Sequence, residues 1–177
     1  EQVAYWDSSR AITYAQLASN TAAIAANLTK AGVREGDRIA IYLPNGVDWI
    51  EACLAGLRAG AVIVPISFEA VEGEISYRLT DASCGTVITT SAKKDLIAKI
   101  TRDAGIPLGM IYAGGEAPQG GLSMTDLATG AGAAPLDPDD IDRSSFIIYT
   151  SGTTGRAKGV LLSLRSMLWI AAACWSP

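Results

Sequence analysis

The sequence predicts an α/β fold, in which a mainly parallel sheet built from repeated β-α units carries helices on both faces. Short apolar segments rich in β-branched residues alternate along the chain with segments whose apolar residues recur at helical intervals. One strand and its helix together take up about 23 residues, a length that suits crossovers in a parallel sheet. The strand segments show no apolar-polar alternation, as expected when both faces of such a sheet are buried.

The first helix is predicted by its N-terminal cap. An apolar segment at 3–6 indicates a strand that runs into a turn at 7–10. Thr13 then stands three residues before Gln16, the spacing of a capping box, in which each side chain accepts a hydrogen bond from the backbone amide of the other residue. Apolar residues follow at helical intervals before Gly32, and they are Leu17, Ile24, Leu28 and Ala31.

The second helix follows a strand at 38–43 and the turn sequence Pro44-Asn45-Gly46. Its large apolar residues have the spacing of a buried helical stripe. The predicted stripe consists of Trp49, Ile50, Cys53, Leu54 and Leu57. Gly60 stands where a residue in the left-handed conformation would end the helix.

The alternation continues through the middle of the chain. The predicted elements are a strand at 61–66, a helix that opens with Glu72 and Glu74 and contains Ile75 and Leu79, a strand at 85–89, a helix at 93–104 and a strand at 108–112. The two glutamates suit the positive end of the helix dipole. From 113 to 138 glycine, alanine and proline dominate, which indicates a surface connection with one short helical turn at 123–127.

The composition disfavours several classes of protein. A formal charge of −4 without a basic run argues against a nucleic-acid partner, and no apolar run is long enough to span a membrane. Cys53, Cys84 and Cys174 are widely spaced and the chain has no histidine, so we expect the reduced thiols of a cytoplasmic protein, without a zinc site. The missing histidines also argue against a hydrolase that uses a histidine base. The aspartates at 137–142 lack the spacing of a calcium loop and indicate a solvated turn.

The most distinctive segment is a polar loop between two apolar strand candidates, 146–149 and 160–162. Nearly all of its residues from Thr150 to Gly159 are glycine, serine, threonine or cationic. Glycines let backbone amides approach an anion, hydroxyls donate further hydrogen bonds, and Lys158 supplies positive charge. The loop is not a Walker A motif, because Lys158 precedes a glycine and a strand follows. The sequence therefore predicts a phosphate-binding loop on a β-hairpin.

The segment from Tyr149 to Val160 resembles the signature of the adenylate-forming superfamily, which comprises acyl- and aryl-CoA synthetases, peptide-synthetase adenylation domains and luciferases. Four upstream segments also look like the N-terminal portion of this superfamily, so the resemblance covers nearly the whole chain; they are 12–17, 36–40, 43–45 and 60–65. Two positions depart from its pattern. Ala157 stands where the superfamily usually has proline, and 163–165 lack the histidine that many acyl-CoA synthetases carry there.

The resemblance implies the first subdomain of the N-terminal domain of an enzyme that joins a carboxylic acid to a thiol. The acid reacts with ATP, in the presence of Mg²⁺, to give acyl-AMP and pyrophosphate, and the acyl group then passes to coenzyme A. Such an acid has a pKa of about 4 to 5 and is ionised at neutral pH, so no histidine base is needed. The residues expected to contact the β- and γ-phosphates are Thr150, Ser151, Gly152, Thr153, Thr154, Gly155 and Lys158.

Members of this superfamily are much longer, and their adenine, ribose and catalytic-lysine segments have no counterpart in the sequence. We therefore expect 1–177 to form a single, incomplete α/β subdomain without ligase activity of its own. The nearly all-apolar helix predicted at 165–174 would expose a large patch, so we also expect self-association. An acyl-CoA synthetase acting on a fatty or other acyl acid is the leading hypothesis. A peptide-synthetase adenylation domain and a non-catalytic module that binds a nucleotide or an anion are the alternatives.

Overall fold

The computed structural model describes residues 2–115, 117–129, 140–150 and 156–175. Strands and helices alternate over most of these ranges. In chain order the elements are β1 (Val3–Trp6), β2 (Ala11–Thr13), α1 (Tyr14–Lys30), β3 (Arg38–Tyr42), α2 (Val47–Arg58), β4 (Val62–Pro65), α3 (Glu72–Asp81), β5 (Thr86–Thr90), α4 (Lys94–Ala104), β6 (Gly109–Ala113), β7 (Leu122–Ser123), α5 (Met124–Ala128), β8 (Ser144–Thr150), β9 (Lys158–Ser163) and α6 (Leu164–Trp175).

Seven strands form one sheet in the order β7-β6-β5-β3-β4-β8-β9. Neighbours from β7 to β8 pair in parallel, and β9 pairs antiparallel with β8. β1 and β2 form a separate antiparallel pair. The predicted α/β fold is confirmed. Because the central strands are parallel, the carboxyl ends of β3, β4, β5 and β8 lie at one edge of the sheet.

Helices bury both faces of this sheet. On one face α1, α2 and α5 pack against Ile39 and Ile41 of β3, and on the other face α3 and α4 pack against Ala40 and Tyr42 of the same strand. All four of these β3 residues are 0% exposed. Burial on both sides explains why the strand sequences show no apolar-polar alternation.

The caps predicted from the sequence are present. Gln16 donates its amide to Thr13 Oγ1 at 3.2 Å, and Thr13 donates its amide to Gln16 Oε1 at 2.9 Å. Gly60 has a φ of 87°, the left-handed conformation expected after α2. In α5, Ser123 Oγ accepts a hydrogen bond from the amide of Asp126 at 2.9 Å. This short helix is packed into the core through buried Met124. Residues 116 and 130–138 of the predicted connection lie outside the described residues.

The buried face of α2 differs from the prediction. Of the five large apolar residues expected there only Cys53 is buried, whereas Trp49, Ile50 and Leu57 are half-buried and Leu54 is 38% exposed. Small residues replace them at the contact with the sheet, chiefly Ala52, Ala55 and Gly56. The reason is the close approach of the helix: a Cβ atom on Gly56 would lie 2.6 Å from Cδ1 of Ile63.

The β1-β2 pair is attached to α2 through charged side chains. Asp7 Oδ2 accepts a hydrogen bond from the amide of Val47, the first residue of α2, at 2.7 Å. The hydroxyl of Ser9, with the amides of Val47, Arg10 and Ser9, holds the pKa of Asp7 well below its ordinary value. Arg10 Nη2 donates to Asp48 and to the buried Glu51, so the charge of this carboxylate is compensated.

The three cysteines are free thiols. Cys53 and Cys84 are buried, and burial raises the pKa of both to about 12. Cys174, on α6, is exposed. In the part of the chain that the structure describes, no helix is long and apolar enough to cross a membrane.

Gly56→Ala is expected to lower the free energy of unfolding, although alanine is the better helix former. The added methyl would meet Ile63, which is 0% exposed and cannot move without disturbing the core, and such overpacking costs about 1–3 kcal/mol. Gly73→Ala in α3 is the matched control, because nothing lies within 4 Å of a Cβ at this position. There the helix propensity of alanine should raise stability by up to about 1 kcal/mol. Equal unfolding free energies in urea for the two variants would contradict the close packing of α2.

Asp7→Asn is expected to lower the melting temperature at pH 7, with a smaller effect in acid. The pKa of Asp7 is lower in the folded chain than in the unfolded chain, where it is about 4. The unfolded state therefore takes up the proton first, and the stabilisation is complete above about pH 4 and lost as the pH falls toward the folded-state pKa. Thermal unfolding at pH 7 and pH 3 measures the difference. Glu35→Gln, at an exposed carboxylate between α1 and β3, is the control; a pH-independent effect of Asp7→Asn would contradict this role.

Candidate phosphate-binding hairpin

β8 and β9 form the predicted hairpin. β8 ends at Thr150 and β9 begins at Lys158, and these two residues face each other in the antiparallel ladder. Tyr149 faces Gly159 in the next pair. Of the predicted phosphate contacts, the structure therefore brings Thr150 and Lys158 together. The other five lie outside the described residues, and they are Ser151, Gly152, Thr153, Thr154 and Gly155.

The hairpin reaches the edge of the sheet at which parallel α/β proteins bind ligands. Thr150 is the carboxyl end of β8, which runs parallel to β4. At the same edge, beyond the ends of β3 and β4, a cavity of about 330 Å³ is lined by residues that include Asn45, Trp49 and Phe68. α2 leaves β3 on one face of the sheet and α3 leaves β4 on the other. Ligands of open parallel sheets bind where neighbouring connections separate in this way.

Both described contact candidates are accessible. Thr150 and Lys158 are exposed. Within the described ranges, the ammonium group of Lys158 makes no hydrogen bond and no ion pair, whereas that of Lys99 is held by Glu72 and Asp103. The exposed side chain of Lys158 thus carries its charge at this edge of the sheet.

The stem of the hairpin is attached to α3 by two tyrosines. Tyr149 on β8 donates its hydroxyl to Asp81 Oδ2 at 2.6 Å, and Tyr77 on α3 donates its hydroxyl to the carbonyl oxygen of Ala157 at 2.9 Å. The two rings meet edge to face, with their centroids 5.9 Å apart. Burial, and secondly the Asp81 carboxylate, raise the pKa of Tyr149, so its hydroxyl stays protonated and can donate. One face of α3 thus contacts β8 at Tyr149 and the main chain just before β9 at Ala157.

Two arginines stack on these tyrosines. The guanidinium of Arg78 lies 5.8 Å from the centroid of the Tyr149 ring, and that of Arg156 lies 5.6 Å from the centroid of the Tyr77 ring. Arginine is favoured over aromatic faces because the ring quadrupole attracts the cation. Arg156, which the sequence presents as one more cation of the loop, is therefore directed toward α3.

Gly159 is required by the packing of the hairpin. A Cβ atom at this position would lie 2.9 Å from Cγ2 of Ile147 and 3.2 Å from Cζ of Tyr149. The side chains of Ile147 and Tyr149 therefore pack against β9 at the space that Gly159 leaves. Close packing of this kind is a common reason for glycine inside a strand. This glycine therefore leaves room for the Tyr149 side chain.

The structure adds residues that the sequence analysis did not single out. Tyr77 and Asp81 lie about 70 to 80 positions before the residues they bind, and no motif links them to the loop. Their spacing of four residues places them on one face of α3, but many helical positions share that spacing. Contacts between distant segments of this kind become visible only in the folded chain.

A cluster of several metal-ligating side chains is not found among the described residues. Among them, no group of three or more histidine, cysteine, aspartate or glutamate side chains could hold a metal ion. Protein-bound Mg²⁺ is commonly held by one or two carboxylates together with substrate phosphates. The carboxylate of Asp81, on α3, accepts the Tyr149 hydroxyl through Oδ2. We therefore assign no magnesium ligand to this part of the chain.

Known proteins resemble the chain in sequence and in fold. It is 30% identical to sulfoacetate–CoA ligase from Cupriavidus necator over 162 residues, which cover 92% of the chain and 31% of that protein. It is 34% identical to a feruloyl-CoA synthase from Amycolatopsis sp. over 161 residues, which cover 90% of the chain and 30% of that protein. The crystal structure of ATP-bound MatB from Rhodopseudomonas palustris is 32% identical, with a TM-score of 0.79, and the match covers 97% of the chain and 33% of MatB.

The chain thus spans about a third of the length of these relatives, whose covered shares are 31%, 30% and 33%. The family of AMP-binding enzymes matches it from residue 1 to residue 177. This family match includes the hairpin with Thr150 and Lys158, in agreement with the resemblance of the signature sequence. The chain belongs to the AMP-binding enzyme family.

Proposed function

We propose that this chain supplies the ATP-phosphate-binding part of an acyl-CoA synthetase, an enzyme that activates a carboxylic acid with ATP and transfers it to coenzyme A. The observation that carries the proposal is the β8-β9 hairpin, which presents exposed Thr150 and Lys158 at the carboxyl edge of the parallel sheet. Within the described ranges, the ammonium group of Lys158 has no hydrogen-bond or ion-pair partner. Membership of the AMP-binding family and the likeness to an ATP-bound structure support the choice of ATP as the anion.

The proposed chemistry proceeds in two steps. The ionised carboxylate attacks the α-phosphorus of ATP, the bond to the bridging oxygen breaks, and acyl-AMP and pyrophosphate form. The thiol of coenzyme A then attacks the acyl carbon, loses its proton, and displaces AMP to leave a thioester. Negative charge grows on the leaving pyrophosphate in the first step, and groups aimed at this charge lower the barrier.

In the proposal, the loop meets that charge with its backbone amides, its hydroxyls and one cation. Lys158 is the cation, and its side chain extends from the first residue of β9. The groups proposed to bind the β- and γ-phosphates are Thr150, Ser151, Gly152, Thr153, Thr154, Gly155 and Lys158. No histidine is required, because the attacking acid is ionised at neutral pH.

The acid is proposed only as a class. Two relatives are named for acids as different as sulfoacetate and ferulate, so family membership does not select one acid. The candidate acids therefore include short, aromatic and fatty acids. Thioester formation by the whole protein with each of these acids identifies the substrate. Transfer to a carrier-protein thiol, with none to coenzyme A, would favour a peptide-synthetase adenylation domain.

Lys158→Ala is expected to slow acyl-AMP formation by the whole protein by about 100-fold, the usual effect of removing one group that stabilises transition-state charge. Carboxylate-dependent exchange between ATP and pyrophosphate measures this step directly. Lys30→Ala, which removes another exposed lysine from the end of α1, is the control and should retain the wild-type rate. The 177-residue chain alone is expected to show no exchange. A wild-type rate in the Lys158→Ala protein would refute the assignment of the hairpin.

The isolated 177-residue chain is expected to self-associate through α6. Leu168, Trp169 and Ile170 on this helix are 51%, 74% and 55% exposed, and adjacent apolar residues exposed to this degree tend to be covered by a second molecule. Sedimentation velocity over a range of concentrations detects the association. Trp169→Ser should weaken it, whereas Trp6→Ser should not, since Trp6 is 72% exposed on β1, away from this helix. Sedimentation as a monomer at every concentration would contradict the expectation.

A further inference from the structure

We infer that Tyr77 is a positioning residue for Lys158. Its hydroxyl donates to the carbonyl oxygen of Ala157, the residue immediately before Lys158, at 2.9 Å. The hydrogen bond fixes the main chain from which the Lys158 side chain extends toward the ATP phosphates. This inference rests on the proposed function, because it assigns a role to Tyr77 in the same phosphate site.

The position of Ala157 in the hairpin explains why a tether matters there. The β8-β9 ladder ends at the pair Thr150 and Lys158, so Ala157 lies just outside the last ladder pair. Among the described residues, no ladder pair includes Ala157. Within the described ranges, the Tyr77 hydroxyl is the group that binds its carbonyl oxygen.

The identity of residue 157 strengthens this reading. Proteins with the signature resembled by this loop usually have proline at this position, and proline fixes φ near −65°. Alanine leaves φ free, so the main chain before Lys158 lacks that internal restraint. The hydrogen bond from Tyr77 supplies a restraint from α3 in its place.

Tyr77 is itself held in orientation by its neighbours. The Tyr149 ring meets the Tyr77 ring at 75° with a centroid distance of 5.9 Å, and the guanidinium of Arg156 lies over the Tyr77 ring, 5.6 Å from its centroid. Tyr149 is fixed in turn by its hydrogen bond to Asp81. A ligand-contacting group is placed accurately when the residues behind it are locked in this way.

Tyr77→Phe in the whole protein isolates the hydrogen bond, because the ring and its packing are kept. Loss of one neutral hydrogen bond should lower kcat/KM for ATP in ATP–pyrophosphate exchange by about 3- to 10-fold. The KM for the carboxylic acid should stay at the wild-type value, since the acid does not contact this segment in the proposal. Tyr14→Phe, which removes a hydroxyl from an exposed tyrosine of α1, is the matched control.

A rescue separates positioning from a general loss of stability. In the Tyr77→Phe background, Ala157→Pro should raise kcat/KM for ATP, because proline restores the restraint on φ within the loop itself. The loss caused by Tyr77→Phe should also be smaller in the Ala157→Pro protein than in the wild type. A tyrosine that only stabilised the fold would lower the melting temperature, without a selective effect on ATP and without rescue by proline.

Hydrogen exchange of the peptide at 156–163, measured without ATP, gives a readout that does not depend on activity. Faster exchange in Tyr77→Phe than in Tyr14→Phe, together with the selective loss of kcat/KM for ATP, is the expected result. Unchanged exchange overturns the inference, and so does faster exchange with an unchanged kcat/KM for ATP. If the wild-type protein shows no ATP–pyrophosphate exchange with any acid, the proposed function fails, and hydrogen exchange alone decides whether Tyr77 restrains residue 157.

Discussion

Burial of a parallel sheet on both faces is the constraint on which this structure depends. The β3 residues from Ile39 to Tyr42 are 0% exposed, so their backbone groups must be satisfied by neighbouring strands and not by water. Parallel pairing with β4 and β5 meets that requirement. It also brings the carboxyl ends of the strands to one edge, where the helices that follow β3 and β4 diverge to opposite faces. The place of the candidate site thus follows from how the core is buried.

Within the seven-stranded sheet, the β8-β9 hairpin is the exception to parallel pairing, and its attachment reflects this. β9 is an edge strand, and its residues Val160 and Leu161 are 42% and 59% exposed. Within the sheet, the hairpin is therefore held by strand pairing on one side only. α3 supplies the second attachment through Tyr77 and Asp81. α3 also packs against Ala40 and Tyr42 of β3. The helix that buries this face of the sheet is therefore the one that holds Tyr149 and Ala157, on either side of the loop. α3 thus links the packing of the core to the geometry of the candidate site.

The sequence predicted those features that local chemistry decides. The capping box at Thr13 and the hairpin around the glycine-rich loop depend on neighbouring residues, and both are confirmed. The prediction of the buried stripe of α2 was wrong. The size of the residues at a helix-sheet contact depends on the distance between the two elements, and the spacing of apolar residues along one helix does not encode that distance. The contact between Tyr77 and Ala157 joins positions 80 residues apart, and a single sequence carries no signal for it. The long signature sequence predicted a phosphate-binding loop, whereas the contacts from α3 to the residues beside the loop became visible only in the folded chain.

The central claim is that the β8-β9 hairpin binds the phosphates of ATP. Amide chemical shifts of the whole protein, followed on addition of ATP, of inorganic tripolyphosphate and of adenosine, test it directly. If the claim is correct, ATP and tripolyphosphate shift the amides at 150–159, adenosine leaves them in place, and Lys158→Ala weakens both responses. Shifts with ATP that spare 150–159, or that adenosine alone reproduces at these residues, would contradict it.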